Sequence, residues 1–148
     1  MKVLIAHHVE EMWRKSLMKI GGKCLDEFIE SIYAHCVEND IDRLIITRFE
    51  DFEMGDEHFL FQNAPFQTTV HPYGYGWDQE TVLDYEDEDA FTEGGNHSEY
   101  VLIEGWMYEL NRDEVFLCGC FDGECIEDME IALTHCEIPF KRIEDLIV

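Results

Sequence analysis

A cysteine that follows a strand and a tight turn, and itself opens a helix, is well placed to attack a carbonyl. Residues 115–126 are arranged in that way. Val115-Phe-Leu-Cys118 reads as a strand, Gly119-Cys-Phe-Asp-Gly123 as a turn, and Cys125 as the start of a helix. The free N–H groups and the dipole at a helix N-terminus favour thiolate, so Cys125 is a candidate nucleophile. Backbone N–H groups of the turn could hold the oxyanion that forms when a thiolate adds to a carbonyl. Ligands of open parallel sheets bind beyond the carboxyl ends of the strands, and the other ends carry His7 and His8, then Arg48 to Asp51. Cys118-x-Cys120 and Cys120-x4-Cys125 lack the paired short spacings of a structural zinc site. The aromatic segment Val70-His-Pro-Tyr-Gly-Tyr-Gly-Trp77 could roof a pocket by stacking, or pack on its own domain.

The elements that must position these residues follow from hydrophobic period. Lys2 to Ala6 is a short apolar run that predicts a buried strand, and Gly21-Gly22 is a break. From Cys24 the apolar residues Leu25, Phe28, Ile29, Ile32, Tyr33, Cys36 and Val37 keep helical spacing, and Asn39 and Asp40 end the helix. Arg43 to Thr47 predicts a second buried strand, which completes a βαβ unit with parallel strands. Residues 48–96 read as loop-rich. Within them Asp78 to Glu93 carries eight acids and no base, predicting a solvated segment. Ser98 is a suitable N-cap for a helix with Leu102, Trp106 and Leu110 on one face. A strand over 114–119, a helix over 124–136 and a closing strand over 140–148 complete the alternation. The expected fold class is α/β, a three-layer sandwich with a mostly parallel sheet, in a single domain over 1–148 with a long acidic loop region at about 60–97.

With these elements in place, the turn and cysteine resemble a known family. In the isochorismatase-like cysteine hydrolases, which include nicotinamidases, a strand ends in Gly and x-x-Thr-x-x-Cys-Val then opens a helix. This chain reads Gly119-x-x-Asp122-x-x-Cys125-Ile126, and Asp145 falls where the family's next strand ends in an acid. The resemblance spans residues 98–148 and implies a Rossmann-like isochorismatase fold and amide or ester hydrolysis at Cys125. The family's catalytic Asp is replaced by Ala6-His7-His8, and its catalytic Lys has no counterpart between Lys23 and Lys141. Cys125 is left with His7 or His97 as its base, a Cys–His pair. The alternative is a pseudoenzyme, with Cys125 a core thiol at a helix start and His7 a strand-end histidine. Some nicotinamidases also bind a divalent metal through Asp-x-His, Gly-Asp-His-Phe and a later His. Asp51, Glu53, His58 and His71 fall near the corresponding places, with Glu53 where the family has His and one residue inserted before His58, and the resemblance implies a zinc, iron or manganese site there.

Bulk composition narrows the partners. The 148 residues are 46% hydrophobic and 13% aromatic, ample for a packed core. No run approaches the ~20 apolar residues of a membrane span, and the expected compartment is the cytoplasm. The six cysteines are expected to be free thiols. A net charge of −24 disfavours nucleic acid and anionic membranes as direct partners. It suits a neutral small-molecule substrate, or a basic protein engaged by an acidic inhibitor or DNA mimic, and it leaves a homo-oligomer open.

Overall fold

Val3, Leu4, Ile5 and Ala6 are all buried, as a strand covered on both faces requires, and they form the centre of β1 (Lys2–His7). The computed structural model describes residues 1–9, 25–48, 63–72, 81–84, 100–103, 105–120, 123 and 125–147. After β1 come α1 (Leu25–Glu38), β2 (Arg43–Arg48) and β3 (Gln67–Pro72). The pair β4 (Thr81–Asp84) and β5 (Tyr100–Ile103) follows, then the single turn α2 (Gly105–Tyr108). The chain continues with β6 (Glu114–Gly119), α3 (Cys125–His135) and β7 (Phe140–Ile147). Five strands form one parallel sheet in the order β3-β2-β1-β6-β7, while β4 and β5 pair antiparallel apart from it. This is an α/β fold.

The pleat sends alternate residues to opposite faces, and the burial pattern follows it. Leu4, Ala6, Leu44, Ile46 and Cys118 meet Phe28, Ile29, Ile32 and Cys36 of α1. Val3, Ile5, Ile45, Val115 and Leu117 meet Met107 and Leu110 on one side and Ile126, Met129, Ala132 and Leu133 of α3. Each large side chain buried in this way stabilises the fold by roughly 1.5–3 kcal/mol.

Both long helices stop in the same manner. Asp40 after α1 and Glu137 after α3 take left-handed backbone, with φ of 53° and 60°. The next amide returns to the helix, Ile41 N to Cys36 O at 3.0 Å and Ile138 N to Leu133 O at 2.9 Å. This is the Schellman ending, and in each case the two bonded residues also share a hydrophobic cluster.

Two expectations from the sequence need correction. Residues 67–72 were expected to be loop and instead form β3, because Thr68, Thr69 and Val70 are β-branched and fit a pleated edge ending at Pro72. The helix expected from Ser98 is not formed at Tyr100–Ile103, which pairs with Thr81–Asp84 as β5. Its aromatic and β-branched residues favour strand over helix, and only Gly105–Tyr108 takes a helical turn. The same pairing puts a strand inside the acidic segment 78–93. No helix among the described residues is long and apolar enough to cross a membrane.

Candidate functional site at the carboxyl edge of the sheet

In the sheet, the first and fourth strands in chain order, β1 and β6, lie side by side, and connections leave them toward opposite edges. Such a switch point opens a crevice outside the carboxyl ends of the two strands. The last residues here fall into one row. His71 of β3 is opposite Thr47 of β2, Thr47 opposite His7 of β1, and His7 opposite Gly119 of β6. By strand parity this row points to the face that α3 covers, one step beyond Ile5, Ile45 and Leu117.

His7 is buried at the centre of the row. Its Nδ1 lies 2.6 Å from the Thr47 hydroxyl, itself buried, and its Nε2 is buried without a hydrogen-bond partner. His8 leaves the strand with φ of 52°, a left-handed conformation costly for a non-glycine residue. That turn stacks its ring on His7, with centroids 3.9 Å apart and planes 18° from parallel. Burial holds His7 well below the ordinary histidine range, and the neighbouring imidazole of His8 pushes the same way; the Cys125 backbone opposes both. His7 is therefore neutral near pH 7.

Gly119 is required by close approach. With φ of 119°, a Cβ there would collide with the His7 backbone, and the next amide, Cys120 N, donates to His7 O at 2.9 Å. Gly119 thus lets β6 close against β1 and directs the chain toward α3. Cys125, the first residue of that helix, is partly exposed, whereas Cys36, Cys118, Cys120 and Cys136 are buried. Burial pushes the Cys36 thiol up to about 12, moves Cys118 well above the ordinary thiol range and also raises Cys136. Cys125 is the most accessible thiol among the described residues, all of whose cysteines are free.

Of the residues singled out in the sequence, the structure brings Cys125 and His7 together. His71 lies three strands from Gly119 in the same row, its ring stacked on Trp106 with centroids 4.7 Å apart and planes 4° from parallel. Burial lowers its pKa, Arg43 adds to the effect, and Glu109 opposes it. Asp51, Glu53, His58 and His97 lie outside the described residues. Among the described residues no three of His, Cys, Asp and Glu gather to hold an ion. Both described lysines belong to the opposite edge, Lys2 beginning β1 and Lys141 near the start of β7. Sequence reading missed Thr47, whose part depends on a register that places it beside His7. A groove of about 520 Å³ lies outside the row, lined by the α3 stripe Glu127, Glu130, Ile131, Thr134 and His135 with Phe140.

Compared with protein-family models, with curated proteins and with solved structures, the chain finds no match in any of the three.

Proposed function

We propose that this chain is an isochorismatase-like hydrolase of small neutral amides or esters, with Cys125 as its nucleophile. The observation that carries the reading is the place of Cys125: a partly exposed thiol opening α3 beside the β1–β6 switch point, while the other described thiols are buried. The thiolate, favoured by the helix start, adds to the substrate carbonyl and the oxyanion is met by backbone N–H groups. Collapse of that adduct expels the amine or alcohol, which takes up a proton and leaves an acyl thioester. Water then adds to the thioester, releasing the acid and restoring the thiol. A parallel sheet carrying a turn and cysteine after β6 supports the family resemblance. A panel of simple amides and esters assayed with the protein and its Cys125→Ser variant tests the reading. Turnover that survives the substitution overturns it.

A second reading has its own support in the net charge of −24 and in the replacement of the family's Asp by Ala6-His7-His8. Here the chain is an inactive relative that binds a basic protein. Neutralising Asp84, Glu86, Asp87, Glu88 and Asp89 together should slow such association and flatten its salt dependence. Turnover of a neutral amide or ester should be insensitive to the same change.

A further inference from the structure

We propose that the groove between α3 and the edge strand β7 is a docking surface for a basic amphipathic helix of a partner protein. One large apolar side chain of that helix seats on Ile131 and Phe140, and its lysines or arginines meet Glu127 and Glu130. The basic partner of the second reading above is assumed; hydrolysis at Cys125 is not.

Shape, lining and charge agree on this occupant. Glu127, Glu130, Ile131, Thr134 and His135 follow one another at the three- and four-residue spacing of a single helix face, which runs for about 12 Å along α3. Phe140 opens β7, an edge strand of the sheet, and stands opposite Val115 on the side that α3 covers. Ile131 and Phe140 are only half-buried against the core, and the groove meets the rest of their apolar surface. At about 520 Å³ it is large enough for one anchoring side chain, within the roughly 300–1,000 Å³ of ligand clefts. Apart from the ring of His135, its polar lining consists of acceptors. Thr134 Oγ1 turns back to donate to Glu130 O at 2.7 Å, and Glu127 and Glu130 are carboxylates. The neighbouring guanidinium of Arg142 is already held by Glu130 at 2.6 Å and by Glu144 at 2.8 Å. Residues 125–147 hold six acids and two bases, so this surface adds to the chain's charge of −24 rather than offsetting it. Helix-in-groove recognition joins an apolar anchor in a cleft to complementary charge at its rim, and an acidic segment is repelled here.

Fluorescence anisotropy of the full chain with two labelled synthetic helices tests the site. Both are alanine–lysine helices of equal charge, and only one carries a central leucine. The leucine helix should bind roughly tenfold tighter than its twin, as burial of one such side chain provides. Thr134→Lys puts a cation in the groove at an exposed position and should weaken the leucine helix by roughly tenfold. Glu127→Gln should weaken it by roughly threefold. In nitrogen-15 spectra the amides of residues 127–140 should shift on binding. Equal binding of the two helices means attraction by net charge alone and overturns the proposal. So does a leucine helix that binds Thr134→Lys as tightly as the parent. If Thr134→Lys does not fold, Glu127→Gln and the amide shifts decide it. If neutralising Asp84, Glu86, Asp87, Glu88 and Asp89 abolishes binding while the groove variants do not weaken it, the groove falls and the basic-partner reading stands. Binding of neither helix removes both.

Discussion

The two faces of the sheet are built from the same strands yet end differently. On the face covered by α1, apolar packing continues to the carboxyl edge through Ala6, Ile46, Cys118 and Cys120. On the face covered by α3, the apolar rows Val3 and Val115, then Ile5, Ile45 and Leu117, give way to Thr47, His7 and Gly119. One residue of strand parity separates a packing surface from a polar row. That row is only partly satisfied: Thr47 meets His7 Nδ1, while Nε2 of His7 and of His71 are buried without a hydrogen-bond partner, which in a core is costly. The difference teaches that the candidate site is the last layer of a core rather than a separate construction on a loop.

The most damaging way to break that last layer is Gly119→Ala. Left-handed strain and collision with the His7 backbone act together, so a loss of roughly 3–5 kcal/mol, or failure to fold, is expected. Gly123→Ala is the control. Its φ of 75° is also positive but a Cβ there meets open space, and the cost should be about 1 kcal/mol. Denaturant midpoints compare the two. Equal costs would show that the close β1–β6 approach is not what demands Gly119.

The thiols sharpen the contrast between the faces. Cys36, on the α1 face, sits at about 12 against an ordinary 9.0, and three pH units lower its thiolate fraction about a thousandfold at pH 8. Cys125 should therefore react with iodoacetamide first, with Cys36, Cys118 and Cys136 following only on unfolding. Mass-spectrometric mapping over time tests this order. Early reaction of Cys36 or Cys118 would mean that the α1 face opens more readily than the site.

Much of this was legible before the structure, and the limits have physical causes. The runs in β1, β2 and β6 are apolar enough to announce strands covered on both faces, and Phe28, Ile29, Ile32 and Cys36 keep the helical period of α1. β3 was illegible because an edge strand is only half-buried, and Gln67-Thr-Thr-Val-His has no apolar run. Leu102, Trp106 and Leu110 imitate a helical stripe by their spacing. The structure instead assigns Leu102 to β5, Trp106 to the stack with His71, and Leu110 to the core. For the site, the spacing from Gly119 to Cys125 was readable because both belong to one turn. Thr47 was not, since its partner lies 40 residues away and only strand register joins them.

Acid should weaken the polar row more than the apolar one. His7 has a lowered folded-state pKa, so below the ordinary value of 6.5 the unfolded chain binds a proton that the folded chain resists. Stability is then fully present above that pH and falls as the pH drops through it. His35 and His71 contribute with the same sign. His7→Gln removes its share: whatever it costs at pH 7.5, the decline between pH 7 and 5 should become shallower. An unchanged slope in urea titrations across that range would place the acid sensitivity elsewhere.

The smallest effect lies at the far ends of the helices that cover the two faces, where both chains reverse through a left-handed acidic residue. A non-glycine residue in that conformation carries a penalty of about 1–2 kcal/mol, reduced for Asp, whose short polar side chain tolerates it better than Glu does. Glycine removes the penalty but raises the entropy of the unfolded chain, which returns part of the gain. Glu137→Gly should therefore stabilise the protein by about 0.5–1 kcal/mol, and Asp40→Gly by less. Neither side chain is buried, so little packing is lost in either case. The two melting curves, read against the parent, compare the α3 and α1 ends directly. A larger gain at Asp40 than at Glu137 would mean that the difference between these side chains in left-handed backbone does not govern the two turns, and that the α3 face is held at this end by something other than its Schellman bond.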